Sequence, residues 1–91
     1  MIELITISTT GQTWYLNKTI VNPNHIVLVT DDPKHNKMLK EGKIDLGFDS
    51  GVSFSKIQMA AASGFNQLIA VGSPSSIMEK INKNTKKLLK G

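Results

Sequence analysis

Any acid–base or metal chemistry in this chain has to be assembled from two histidines and seven carboxylates, because there is no cysteine. Asp31, Asp32 and His35 lie close enough in sequence to sketch a metal site. They lack the i,i+4 helical spacing that presents ligands to one ion. The plainer reading is a pair of turn-forming aspartates beside an exposed histidine. His25 opens a hydrophobic segment and serves no nucleophile. The serines form no G-x-S-x-G elbow, and neither GxxxxGK[ST] nor G-x-G-x-x-G occurs. Without cysteine there is no thiol nucleophile, no disulfide scaffold and no thiolate zinc site, a usage that fits a reducing cytoplasm. The expectation is a non-enzymatic, cytoplasmic protein with no catalytic residues, no metal and no cofactor.

Two groups of residues could bind rather than catalyse. Gly72-Ser73-Pro74-Ser75-Ser76 joins a predicted strand to a predicted helix start. Free N–H groups, the positive dipole end and the hydroxyls of Ser73, Ser75 and Ser76 could hold a phosphate or other anion, with Trp14 or Tyr15 as a stacking ring for a nucleotide base. The alternative is an ordinary helix cap. The second group is Lys80, Lys83, Lys87 and Lys90. The net charge is +4, and its distribution is uneven. Over residues 1–74, Lys18, Lys34, Lys37, Lys40, Lys43 and Lys56 balance Glu3, Asp31, Asp32, Glu41, Asp45 and Asp49. The excess is therefore C-terminal, where Glu79 is the lone acid. Arginine is absent. Lysine lacks the planar fork that reads guanine edges, so sequence-specific nucleic-acid readout is disfavoured while weak non-specific binding is allowed. A solvated lysine face is the plainer reading.

The elements that must position these residues are short. With 91 residues the chain is expected to be one small domain, 1–91. No apolar run is long enough for a membrane helix, and the first residues do not read as a signal peptide. Met1–Ser8 alternates, with Ile2 and Leu4 facing one way and Ile5 and Ile7 the other, which predicts a strand. Thr9–Gln12 is a turn and Thr13–Leu16 a second strand, with Trp14 and Tyr15 on opposite faces. Asn22-Pro23-Asn24 turns the chain. His25–Thr30 is the most hydrophobic segment and the best candidate for a central strand. Asp31–Lys43 is polar, a long loop or one helical turn. Alternating Ile44, Leu46 and Phe48, the turn Asp49–Gly51 and Val52–Ala61 predict a hairpin. Ser63–Asn66 turns again into a strand over Gln67–Val71. Ser73 as cap and Pro74 at the first helical position start an amphipathic helix to about Leu89. Its apolar stripe is Ile77, Ile81, Thr85 and Leu88.

The predicted class is mainly β with one C-terminal helix (α+β): a small antiparallel sheet or partly open β-barrel of five to six strands. A first strand that is apolar on both sides needs cover from two directions, as in a homo-oligomer or a closed barrel.

The two ends resemble the FlbD/SwrD family of short flagellar and swarming-motility proteins. The matching residues are Met1-Ile2, Gly11 and Trp14-Tyr15-Leu16-Asn17 at the start, and Ser73, Ile77 and Glu79-Lys80-Ile81 near the end. The match covers about the first 20 and last 20 residues. Residues 31–52 read as an insertion, and Ser75-Ser76 stands where the family has an acidic helix start. The resemblance implies a non-enzymatic accessory module with no catalytic residues to transfer.

Three functions follow as expectations. The first is an accessory or regulatory protein that acts by protein–protein contact, as a homo-oligomer. The second is a small homo-oligomeric nucleotide- or anion-sequestering protein of a mobile element. The third is a weak nucleic-acid binder through the lysine helix.

Overall fold

Gly11 sets the first hairpin. Its φ of 61° at the first of two loop positions, with no positive φ at Gln12, is the arrangement of a type II′ turn. That turn joins β1 (Ile2–Thr10) to β2 (Thr13–Val21) in an unbroken antiparallel ladder from Thr10↔Thr13 to Ile2↔Val21. The second strand thus runs five residues past the predicted Leu16. A 3₁₀ turn (Pro23–His25), capped by Asn22, leads into β3 (Ile26–Asp31). Then follow α1 (Pro33–Lys40), β4 (Phe54–Ala61), β5 (Gly64–Val71) and α2 (Pro74–Lys90). This computed structural model describes residues 1–48, 51–61 and 64–90, and the side chains of all of these except 61, 64, 65 and 84–90.

The five strands form one open antiparallel sheet in the order β2-β1-β5-β4-β3, so the fold is α+β and mainly β. β2 and β3 are its edges and do not close into a barrel. Among the described residues no helix is long and apolar enough to cross a membrane.

The central position predicted for His25–Thr30 is corrected. β3 is an edge strand of six residues with a register shift between Ile26 and Leu28, and Val27 and Leu28 are exposed. Its apolar run is not a sign of burial on both sides. β5 takes the centre, with Ala70 buried and Leu68 on one face and Ile69 and Val71 on the other. The hairpin predicted over Ile44–Ala61 is also corrected. Residues 42–48 form no strand, and β4 pairs with β3 and β5 instead. Gly42 and Gly47, both at φ 76°, turn the chain where an extended strand is not held. Ile44, Leu46 and Phe48 still share one environment, because an irregular segment lays all three on the same cluster. The tip Asp49-Ser50 lies outside the described residues.

The polar segment after β3 is a full helix, α1, so the described residues hold two α-helices where the sequence predicts one. Asp32 is its N-cap, accepting the His35 N–H through Oδ1 at 3.1 Å, and Pro33 occupies the first turn. At the other end the Lys43 N–H donates to Met38 O and the Gly42 N–H to Leu39 O. Those two bonds, with Gly42 at positive φ, make a Schellman stop. Asn36 ties the helix to the sheet: its Oδ1 accepts the Phe54 N–H at 2.6 Å, and the Asp32 N–H donates to Phe54 O at 3.1 Å.

Two clusters lie on the two faces of the sheet. Ile2, Leu4, Val21, Ile57, Ala70 and Ile77 are buried together, with Ile81 and Leu68 packed beside them, under α2. Ile7, Leu39, Ile44 and Phe54 are buried together on the opposite face, under α1 and the segment after it. The double-faced first strand is therefore covered from both sides by its own chain, where the sequence suggested a neighbouring subunit or a closed barrel.

Candidate binding surface

The serine turn at the start of α2 is built as a cap. Ser73 Oγ accepts the Ser76 N–H at 3.2 Å, and Ser76 Oγ donates to Ser73 O at 2.9 Å. Gly72 is held below it by its N–H to Ser53 O (2.8 Å), while Gly72 O accepts from Ser55 Oγ (2.7 Å). Both cap hydroxyls thus have partners inside the turn, and Ser75 is exposed. The rings proposed to accompany this turn lie elsewhere. Trp14 pairs across with Thr9 near the hairpin tip, whereas Thr6 pairs with Ala70, so Gly72 lies toward the other end of β1. Trp14 and Tyr15 do point to opposite faces: Trp14 is half-buried on the α1 cluster and Tyr15 is exposed. The structure does not bring the six tentative residues together.

On α2, Lys80 Nζ donates to Glu3 O at 2.9 Å, and Lys83 Nζ lies 3.4 Å from Glu79 Oε1 in an exposed i,i+4 pair. Such a pair contributes little, about 0.3–0.5 kcal/mol. The side chains of Lys87 and Lys90 lie outside the described residues.

His35 is not the exposed residue expected from the sequence. Its Nδ1 lies 2.6 Å from Oδ2 of Asp32, whose side chain is fully buried. The two atoms have ion-pair distance without the alignment of a hydrogen bond. The ring stands edge-on to Trp14 (centroids 5.8 Å) and Phe54 (6.5 Å). A carboxylate that orients an imidazole is also a catalytic arrangement. Here the described ring contacts of the imidazole are an indole and a phenyl ring, and no hydroxyl is among them. The same residues form no group of three metal ligands among the described residues. Sequence reasoning passed over this packing because Asp32 and His35 read as polar; the signal was the Asp-Pro pair that starts α1.

The remaining surface is the part of the α1-side face that α1 does not cover. Alternation along β2 puts Trp14, Leu16, Lys18 and Ile20 on this face, with Ile7, Ile5 and Glu3 of β1 opposite the last three. Leu16 is 45% exposed and Ile20 59%, while Ile5 is half-buried. Across the sheet, Leu28, Thr30, Lys56, Gln58 and Gln67 line a shallow depression of about 160 Å³. A second, of about 190 Å³, lies between β3 and α2 and includes Met78 and Ile81. Both are smaller than the roughly 300–1,000 Å³ usual for small-molecule sites. Exposed aliphatic side chains on an open sheet face suit another protein surface better than an enclosed ligand.

Comparison with family models, with curated proteins and with solved structures finds no match to this chain.

Proposed function

We propose that this chain is a non-enzymatic accessory or regulatory protein that acts through protein–protein contact and self-associates. The observation that carries the reading is the exposure of Leu16 and Ile20, on either side of Lys18 along an edge strand, on the part of the sheet face that α1 does not cover. Leaving these two half-exposed aliphatic side chains in water forfeits about 1 kcal/mol each of possible burial, which a partner surface recovers. The resemblance of the chain ends to the FlbD/SwrD family points the same way, to an accessory module.

The experiment is native mass spectrometry at micromolar concentration on the wild type and on Leu16→Asp/Ile20→Asp. The expected result is a multiple of 10.0 kDa for the wild type and a folded 10.0 kDa monomer for the variant. A wild-type monomer that carries co-purified nucleotide, seen as excess absorbance at 260 nm, rejects the reading in favour of a ligand-binding protein.

A further inference from the structure

The two edges of the sheet are not equivalent. β3 has six residues, a register shift at Val27, a proline-containing turn before it and a charged residue, Asp31, at its end. Shortness and irregularity are usual means of blunting an edge; charge is another, and each strand carries one, Asp31 in β3 and Lys18 in β2. β2 has nine residues, no proline, no register shift and a single charge, Lys18. It is a long, regular edge, and nothing among the described residues pairs with its outer side.

The backbone groups on that outer side can be assigned. A two-residue hairpin turn is closed by a hydrogen-bonded pair, here Thr10 and Thr13. Antiparallel pairs alternate between hydrogen-bonded and non-hydrogen-bonded. Tyr15, Asn17, Thr19 and Val21 therefore bond to β1, while Trp14, Leu16, Lys18 and Ile20 turn their N–H and C=O groups outward. The residues with free backbone groups are the same four whose side chains lie on the open face.

We infer that β2 pairs antiparallel with β2 of a second copy of this chain, about a two-fold axis through Asn17, joining two sheets into one. This rests on the protein-contact reading above and names the partner. The strand is self-complementary about that point. Trp14 falls opposite the partner's Ile20, an aromatic against a β-branched residue, and Leu16 falls opposite the partner's Lys18, where the lysine stem covers the leucine. These pairs and their symmetry mates are the outward-facing positions, so each exchanges two backbone hydrogen bonds. Centring on Asn17 engages all nine residues. Moving the axis to Lys18 shortens the overlap and sets two lysines directly opposite each other, which is unfavourable.

The test uses the full chain, whose freedom from cysteine makes single cysteines informative. Asn17 and its symmetry mate form a non-hydrogen-bonded pair, with Cα atoms about 4.5 Å apart, within disulfide reach. Tyr15 pairs with the partner's Thr19, so the two Tyr15 positions stand four residues apart, about 13 Å. Under mild oxidation Asn17→Cys is expected to convert to a covalent dimer, and Tyr15→Cys to stay monomeric. Adding Lys18→Pro to Asn17→Cys removes an N–H that points away from β1, and cross-linking should fall to the Tyr15→Cys rate. The cysteine comparison stands whether or not the proline variant folds. Equal cross-linking of the two cysteine variants, or none, overturns the β2 pairing. If the wild type is then still an oligomer by native mass spectrometry, the protein-contact reading survives with a different interface. If it is a monomer, self-association falls with the pairing.

Discussion

Asn36 and Phe54 are joined by one hydrogen bond, 2.6 Å from the Phe54 N–H to Asn36 Oδ1. The donor is the first residue of β4, and its ring is fully buried. A side chain in the middle of α1 thus supplies the partner that a neighbouring strand would otherwise give. Asn36→Ala leaves that N–H unmet and should cost about 1–3 kcal/mol. Chemical denaturation reads the loss directly. An unchanged midpoint would mean that α1 contributes nothing to holding β4.

Asp32 has two roles that substitutions can separate. Oδ1 caps α1 by accepting the His35 N–H, and Oδ2 lies against the His35 ring. Asp32→Asn keeps a capping oxygen and removes the charge, whereas Asp32→Ala removes both. The alanine variant should lose about 0.5–2 kcal/mol more than the asparagine variant, the worth of a cap. Equal losses would show that the cap is not what the residue supplies.

The apolar stripe of α2 is graded. Ile77 is buried, Ile81 half-buried and Lys83 exposed. Ile77→Ala should cost about 2–4 kcal/mol and Lys83→Ala less than about 0.5 kcal/mol, with Ile81→Ala between them. Thermal melts in that order support the docking of α2. Ile81→Ala as the costliest of the three would shift the centre of the contact by one turn.

Gly72 has φ 128°, and a Cβ there would stand 2.9 Å from Ser76 Oγ. Gly72→Ala should destabilise by about 1–3 kcal/mol through backbone strain and that contact together. Ser76→Ala relieves only the contact. In a double-mutant cycle the two changes together should therefore cost less than the sum of the two alone. Strict additivity would assign the whole effect to φ.

Local signals were legible where one residue type answers one backbone need. The Ser73-Pro74 helix start stands where the sequence places it, and the first turn falls at Gly11-Gln12, the second half of the predicted Thr9–Gln12, with Thr9 and Thr10 still in β1. Asp32-Pro33 carries the same cap-then-proline signal as Ser73-Pro74. It reads as a long loop or one helical turn because Met38 and Leu39 are the only apolar residues behind it, although Leu39 is buried in the cluster beneath α1. β2 reads as ending at Leu16 because Asn17, Lys18 and Thr19 look like a loop; on an edge strand polar residues are tolerated. The centrality of His25–Thr30 could not be read at all. Hydrophobicity reports that a strand has apolar neighbours, not how many strands flank it, and strand order is fixed by pairings distant in sequence. The candidate site shows the same divide. Trp14 and Tyr15 were placed on opposite faces from period alone, but the exposure of Leu16 and Ile20 depends on where α1 happens to lie.

The order of the strands also governs when the molecule can be finished as it leaves the ribosome. β1 and β2 can pair as soon as both emerge. The inner flank of β1, however, belongs to β5, so Thr6 stays without its neighbour until Ala70 has itself emerged. Throughout that interval the nascent hairpin is a two-stranded ribbon open on both flanks. Polysomes that bring several such ribbons close together would offer one chain's β1 to another before its own β5 exists.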